Sequence, residues 1–364
     1  MVERSAFPLG ASVGLADLES DPHPTLARLR AGEPVSWLPV LDGWLVTRYD
    51  LCLKVMRDPD TYTVDDPRFS TARVIGPSML SLDGPAHARH REPFVAPFRA
   101  GAVRERFASA TQHEADRLID ELSPGGGAEL RRAFAGPLAA AIVTRALGLG
   151  HGEVASVLAW YDAIVAAVTD ITAGRPLPPA GAEAFAGLRA RLNRVIASPS
   201  RSSLLAAAAR GGSLDPDEVV SNAAVLLFGG IETTEGMIAN AVLHLLEHPA
   251  ALARVRADPG LVNAALEESL RLEPGPFDLD RAWSRARREV AFAHGPHVCL
   301  AVHLPGSTPA RRSGGSSPGS RVCAWTPHGA CLCEPGLPQA TGAPRTVELT
   351  RRNPAHPGSR VLWS

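Results

Sequence analysis

The chain has 364 residues and a formal net charge of −1, so bulk charge gives no reason to expect a nucleic-acid partner. Its 45% of hydrophobic residues is ample for a buried core in one large domain or two ordinary ones. Five cysteines in this length do not make a disulfide scaffold. The N-terminal MVERSAFPLG has no signal-peptide pattern and the apolar runs are short for a bilayer, so we predict a soluble cytoplasmic protein with no membrane segment.

The predicted elements begin with two short strands and continue as helices. EPVSWLPV and GWLVTRYD, within residues 33–50, are predicted to be strands joined by a turn at LDG. From YDLCLKVMRD onward the spacing of apolar residues is helical. AHARHREPFVAPF (86–98) predicts a basic amphipathic helix, and ELRRAFAGPLAAAIVTRALG (129–148) is apolar almost throughout, as expected for a core helix.

A Pro/Gly-rich loop, ITAGRPLPPAGA (171–182), separates two further helices and has the composition of a mobile lid. The long apolar helix that follows (213–248) has Asp215 as its expected N-cap, Pro216 in the first turn and Glu218 three residues after the cap. Two more helices are predicted up to residue 274, so the protein is expected to be mainly α.

The tail, residues 305–364, has a different character from everything before it. It is rich in Pro, Gly and Ser, has two acidic residues and shows no sustained apolar period, so we predict disorder. It also contains ligand types for zinc, namely Cys323, His328, Cys331 and Cys333. Their spacing matches no closed zinc site, and a reading frame shifted just after Leu304 explains the whole tail more simply.

The stretch FAHGPHVCLAVHL (292–304) is organised around one cysteine. Gly295 permits a tight turn, Pro296 and His297 follow it, and the turn can aim backbone N–H groups at the sulfur of Cys299. Phe292 is placed to cover that sulfur. The pattern suits a cysteine that binds haem iron through sulfur; the alternative is a buried, inert cysteine beside a turn.

The long helix contains GGIETT (229–234). Two glycines inside a helix cost about 1 kcal/mol each against alanine, a cost compatible with a local widening where a ligand approaches the backbone. Glu232 and Thr233 follow as an acid and an alcohol able to deliver protons. The alternative is that Gly229 and Gly230 permit a close helix–helix contact while Glu232 is solvated.

Two more pairs have helical spacing. Glu268 and Arg271, at i and i+3, share a helical face and form either a buried pair or an ordinary surface pair. His87 and Arg91, at i and i+4 in LDGPAHARHR, could together bind a carboxylate such as a haem propionate, or could lie on a solvated basic face.

Taken together and in this order, HxxxR, GGxET, ExxR and FxxGxHxC resemble the cytochrome P450 family of haem-thiolate monooxygenases, and its soluble bacterial branch in particular. The resemblance covers roughly Gly10 to Leu304. It implies a helical prism with a small β region, and haem b with Cys299 as the axial thiolate. It also implies that Glu232 and Thr233 deliver protons at the oxygen site, where Gly229 and Gly230 open the helix.

The resemblance assigns the remaining motif residues to the haem and to its support. His87 and Arg91 would bind a haem propionate. The residues of the cysteine motif that would shape the haem loop are Phe292, Gly295, His297 and Cys299. The residues of an expected buried ion cluster are Glu268, Arg271 and Arg281.

The sequence departs from the family pattern at several positions. The family usually has glycine at the positions of Ala293 and Ala301, and commonly a propionate-binding histidine where this chain has Glu289. Cys299 follows Arg271 by only 28 positions, an interval in which the family has several strands. We therefore expect a deletion at residues 275–276, an incomplete β region, a shortened P450 domain over residues 1–304 and a separate tail over 305–364.

The implied function is oxidation of a medium-sized apolar metabolite in bacterial secondary metabolism, using O2. Electrons would come from NAD(P)H through a reductase and a ferredoxin. The arginines expected to form the ferredoxin docking face are Arg89, Arg99, Arg104 and Arg106. The alternative is a non-catalytic remnant with weak or no haem binding, because a domain stabilised by only about 5–15 kcal/mol does not easily survive the loss of several strands and a helix.

Overall fold

The computed structural model describes residues 6–19, 21–125, 127–197, 204–271, 292–300, 324–325 and 331–332. Within these ranges the protein is mainly helical, as predicted. The helices are α1 (Pro8–Ala11), α2 (Leu15–Glu19), α3 (His23–Gly32), α4 (Tyr49–Arg57), α5 (Ser70–Ile75), α6 (Gly84–Val95), α7 (Ala100–Leu122), α8 (Gly136–Ala146), α9 (Val154–Thr172), α10 (Pro179–Ala197), α11 (Leu204–Arg210), α12 (Pro216–Glu247), α13 (Pro249–Ala257) and α14 (Val262–Arg271).

The two predicted strands are confirmed as an antiparallel pair, β1 (Val35–Leu38) and β2 (Gly43–Val46). The turn between them places Asp42 in the left-handed region, with φ of 48°, a conformation that aspartate tolerates better than most residues. In the described part of the tail, β3 (Ala324–Trp325) pairs antiparallel with β4 (Cys331–Leu332). Among the described residues, both sheets have two strands each. This agrees with the predicted small β region.

Helix α12 forms the centre of the largest apolar cluster, and its start follows the predicted capping pattern. Asp215 Oδ1 accepts a hydrogen bond from the backbone N–H of Glu218 at 2.8 Å, and Glu218 Oε2 accepts one from the N–H of Asp215 at 3.0 Å. This reciprocal arrangement satisfies two N–H groups at the helix start. Along α12, Leu227 and Ile231 have no exposed surface, and the helix packs against α8, α10, α11 and α14.

Two other predicted helices are core helices. Helix α8 is buried along most of its length, as expected, and follows a π-helical turn at Arg131–Ala135. Residues His151–Thr172, which include α9, are long and apolar enough to cross a membrane by length and composition. The sequence was expected to contain only shorter apolar runs. Helix α9 packs on α10 and α5, and its Ile164 is fully buried in the main cluster.

The loop between α9 and α10, residues 173–178, is where the Pro/Gly lid was predicted. A hydrogen bond from Thr172 Oγ1 to Ser70 Oγ, 2.8 Å long, connects the end of α9 to α5. Arg281, Glu289, Ala301, the junction at 275–276 and most of the tail lie outside the described residues.

Candidate active site

The middle of α12 presents an open face. Gly229 and Thr233, four residues apart and therefore on one side of the helix, are both exposed although neighbouring residues are fully buried. A Cβ placed on Gly229 would meet no atom within 4 Å. The helix is α-helical throughout, so the local widening predicted from the glycines is absent from α12. The space at Gly229 instead comes from the lack of a side chain.

The two glycines have different surroundings. A Cβ on Gly230 would lie 2.5 Å from Cγ2 of Val143 on α8, which is too close for any side chain. The helix-contact interpretation is therefore correct for Gly230, whereas Gly229 leaves room beside the helix. The hydroxyl of Thr233 stays within the helix, since its Oγ1 donates a hydrogen bond to the backbone carbonyl of Gly229 at 2.6 Å.

Behind this face lies a buried ion pair that the motifs did not reveal. Glu235 is 4% exposed and pairs with Arg131 from the π-helical turn before α8. Burial raises the pKa of Glu235, while the charge of Arg131 opposes the shift. Glu232, one turn earlier and half-buried, contributes to the same shift, so the two carboxylates interact.

Helix α6 makes polar contacts on two sides. On the side towards α12, Arg89 forms a two-point ion pair with Glu218, with N–O distances of 2.5 and 2.8 Å. His90 is 1% exposed, and its Nδ1 lies 3.0 Å from the side-chain amide nitrogen of Asn222. The oxygen of that amide accepts a hydrogen bond from the N–H of Met79 at 2.8 Å. These contacts fix how α6 lies on α12.

The other side of α6 faces the cysteine loop, residues 292–300, with His87 and Arg91. Arg91 Nη2 donates to the carbonyl of Val298, next to Cys299. Burial lowers the pKa of Arg91, while the neighbouring Cys299 raises it. His87 is 4% exposed and its Nε2 is a buried nitrogen with no hydrogen-bond partner. Burial, aided by His297 and Arg91, lowers the pKa of His87 to about 4.

The cysteine loop rests on α4. Gly295 has φ of 77°, and a Cβ there would collide with the carbonyl oxygen of Met56, so both conformation and space require glycine. The N–H of Cys299 donates to the carbonyl of Phe292 at 2.8 Å and closes the loop. Ala293, where the family usually has glycine, is left-handed with φ of 55°. The backbone still has the glycine conformation, so the alanine is strained by about 1 kcal/mol.

His297 joins the loop to the start of α6. Its Nε2 donates to Asp83 Oδ1 at 2.8 Å, and its ring centroid lies 4.2 Å from that of His87. Within the described residues, no group of three histidine, cysteine or carboxylate side chains is arranged to hold a metal ion.

Glu268 and Arg271 form a buried pair rather than a surface pair. Glu268 has no exposed surface, and Arg271 meets both of its oxygens at 2.7 Å. The third expected member, Arg281, is outside the described residues.

The residues fit a haem with two carboxylates. The chain supplies a half-buried thiol at Cys299, a buried nitrogen without a partner at His87 and a guanidinium at Arg91, all at one place. Leu300 beside the thiol and Leu226 on α12 pack against the same apolar clusters. Leu226 lies on the same helical face as Gly229 and Thr233, so the apolar clusters that Leu300 joins also reach the open face of α12.

Comparison with known proteins agrees with this site. No family model matches the chain. It is 34% identical over 280 residues to cytochrome P450 monooxygenase PikC of Streptomyces venezuelae, an alignment that covers 72% of this chain and 65% of that protein. It is 30% identical to 20-oxo-5-O-mycaminosyltylactone 23-monooxygenase of Streptomyces fradiae, over 78% of this chain and 79% of that protein.

Solved structures show the same fold. A crystal structure of CalO2 has a TM-score of 0.69 at 23% identity and covers 87% of this chain and 96% of its own. The myxobacterial cytochrome P450 CYP267B1 with myristic acid has a TM-score of 0.67 at 26% identity, over 81% of this chain and 89% of its own. The chain belongs to the cytochrome P450 family. It nevertheless spans slightly less than two thirds of PikC.

Proposed function

We propose that this chain is a haem-thiolate monooxygenase that oxidises a medium-sized apolar metabolite. The observation that carries the proposal is the meeting of Cys299 and His297 with His87 and Arg91, which come from opposite ends of the sequence. In this proposal the sulfur of Cys299 binds the iron of haem b. The bound haem supplies the oxidising chemistry by activating O2, and the thiolate tunes it.

The haem carboxylates are the proposed ligands of His87, Arg91 and His297. A guanidinium and two imidazoles offer several N–H donors to two carboxylates, and charge-assisted hydrogen bonds of this kind are among the stronger ones in proteins. The orphan Nε2 of His87 would gain its missing partner. Phe292 and Gly295 would hold the shape of the loop around the sulfur.

Glu232 and Thr233 are the proposed proton-delivery pair beside the open space at Gly229. The Thr233 hydroxyl donates to a backbone carbonyl, which leaves its oxygen able to accept a hydrogen bond from a proton donor. Glu232 is half-buried and so remains accessible to protons from water. Gly230 serves the packing of α12 on α8.

The proposed domain covers residues 1–304, shortened near 275–276, and the tail covers 305–364. Glu268, Arg271 and Arg281 would form the ion cluster that supports the cysteine side. The substrate would meet α5, loop 173–178 and Leu226. Leu227, the next residue along α12, is fully buried in the core and could not contact a substrate there.

The proposed partners are O2, a ferredoxin and its NAD(P)H-dependent reductase in a bacterial cytoplasm, with a role in secondary metabolism. The names of PikC and of the mycaminosyltylactone monooxygenase support the oxygenase class. Arg99 and Arg104 are exposed and suit an acidic ferredoxin. Arg89 does not, because Glu218 already neutralises it.

The carbon monoxide difference spectrum of the reduced 364-residue chain tests the proposal. With added haem, we expect the red-shifted Soret band typical of thiolate ligation. Cys299→Ser should abolish that band, whereas the matched control Cys52→Ser should retain it. Cys52 is a half-buried cysteine on α4, so it reports the effect of losing a thiol elsewhere.

Two results would contradict the proposal: no haem uptake by the wild type, or an unchanged band in Cys299→Ser. The first favours the alternative of a non-catalytic remnant. That alternative has one specific observation behind it, the strained Ala293 inside the cysteine loop.

A further inference from the structure

Asp83 joins three segments of the candidate site. Its Oδ1 accepts from His297 Nε2 at 2.8 Å, and its Oδ2 accepts from Thr63 Oγ1 at 2.7 Å and from the N–H of Val64 at 2.8 Å. The side chain is 15% exposed. Burial alone would raise the pKa of Asp83, but the hydrogen bonds from these three partners outweigh it and lower the pKa. The carboxylate is therefore ionised and fully engaged.

The position of Asp83 makes this engagement unusual. It is the N-cap residue of α6, where an aspartate ordinarily accepts a hydrogen bond from the first turn of its own helix. Here the side chain makes no capping bond. It turns away from the helix and reaches a residue 214 positions later in the chain. Capping of α6 thus does not account for an aspartate at this position.

The contact with His297 extends to His87. The His297 ring lies against the His87 ring, with centroids 4.2 Å apart and planes tilted by 41°. A hydrogen bond to one ring nitrogen fixes the orientation of a histidine. Since Nε2 of His297 donates to Asp83, the ring can donate to a haem carboxylate only through Nδ1, which requires that both ring nitrogens carry protons. Fixing His297 therefore also fixes the neighbour of His87, whose Nε2 is the buried nitrogen without a partner.

We propose that Asp83 is a positioning residue for the haem carboxylates, which acts by holding His297 in line with His87 and Arg91. This inference rests on the proposed function. In this proposal Asp83 would act through His297 rather than by contact with the haem. A carboxylate without partners at this site would repel the haem carboxylates, whereas one that receives three hydrogen bonds can order the donors at a smaller electrostatic cost.

The test measures the rate at which haem leaves the full-length protein for an excess of apomyoglobin. The variants are Asp83→Ala, which removes all three contacts, and Thr63→Val, which removes one and leaves His297 held. Each is loaded with ordinary haem and, separately, with haem dimethyl ester, whose carboxylates are blocked. Asp83→Asn is the intermediate variant, because its single amide oxygen can accept from His297 or from Thr63 and Val64 but not from both sides.

With ordinary haem, we expect Asp83→Ala to lose haem about tenfold faster than wild type, as for other residues that orient a ligand. Thr63→Val should stay close to wild type, and Asp83→Asn should fall between wild type and Asp83→Ala, because it keeps only one of the two acceptor oxygens. With the dimethyl ester, Asp83→Ala and wild type should lose haem at the same rate, because the donors that Asp83 aligns have no carboxylate to bind.

Equal acceleration with both haems would overturn the proposal, since a merely structural role of Asp83 weakens both complexes alike. Unchanged haem loss from Asp83→Ala would also overturn it. These results differ from a failure of the proposed function, in which the wild type itself shows no thiolate-type spectrum before any variant is compared. If Asp83→Ala does not fold, Asp83→Asn takes its place: faster loss of ordinary haem but not of the dimethyl ester supports the alignment, and no difference contradicts it.

Discussion

The helical part of the chain up to Arg271 and the cysteine loop are stabilised in different ways. The helices bury a continuous apolar cluster around α12, and their crossings are fixed by close contacts such as Gly230 on Val143. The loop, residues 292–300, depends on Gly295 fitting against α4 and on a few polar contacts to α6. Stability of the helices and binding of haem should therefore be separable, and five substitutions test that separation.

Glu268→Ala should have the largest effect on the helices. It leaves Arg271 without the fully buried carboxylate that it meets at 2.7 Å, and breaking a buried pair costs about 3–5 kcal/mol. Urea unfolding followed by far-ultraviolet circular dichroism measures the loss. The control is Glu121→Ala, which removes an exposed partner of Arg117 and should cost less than about 0.5 kcal/mol. Similar values for the two would contradict a buried role for Glu268.

Gly230→Ala should have the second-largest effect on the stability of the helices. The added methyl group meets Val143 Cγ2, and overpacking of this kind costs about 1–3 kcal/mol. Gly229→Ala is the matched control, because its methyl group meets nothing and alanine favours a helix by up to about 1 kcal/mol. In the same unfolding measurement, Gly230→Ala should lower the free energy of unfolding and Gly229→Ala should raise it. Adding Val143→Ala should restore stability only to Gly230→Ala. Equal destabilisation would mean that both glycines pack against α8.

Glu218→Gln should produce a smaller, pH-dependent effect. The ion pair with Arg89 lowers the pKa of Glu218 to about 2. The pair therefore stabilises the folded state fully above the ordinary carboxyl pKa, and this contribution is lost as the pH falls from there towards about 2. Glutamine keeps the capping pattern of α12. We expect wild type to be more stable than the variant by about 0.5–1 kcal/mol near neutral pH, because the pair is partly exposed to solvent. The difference should shrink in unfolding experiments below about pH 5, and a constant difference would contradict the assignment.

Changes in the cysteine loop should leave the unfolding of the helices unchanged. Gly295→Ala forces a methyl group onto the carbonyl of Met56 and should reduce haem binding. Ala293→Gly relieves a left-handed alanine, and about 1 kcal/mol of strain relief would increase haem affinity about fivefold. Haem titration compares both with wild type. A drop in helix stability for Gly295→Ala would show that loop and helices are one cooperative unit.

The sequence was enough to predict features that depend on neighbours in the chain. The capped start of α12, the strands β1 and β2 and the apolar α8 follow from local spacing. The separate surroundings of Gly229 and Gly230 could not be predicted, because they depend on which face of α12 meets Val143. Two residues of the site were missed. Glu235 had a signal, a carboxylate inside an apolar run, whereas Asp83 had none, because an aspartate before a helix is common.

The contacts that close the site join distant parts of the chain. Arg91 meets Val298 across 207 residues, and Asp83 meets His297 across 214. The entropy lost on closing a loop grows with its length, and contacts between distant residues slow folding. During synthesis, α6 and α12 can associate before the cysteine has left the ribosome. The cysteine loop then docks onto a surface already formed, so haem capture should be one of the last steps in the maturation of this protein.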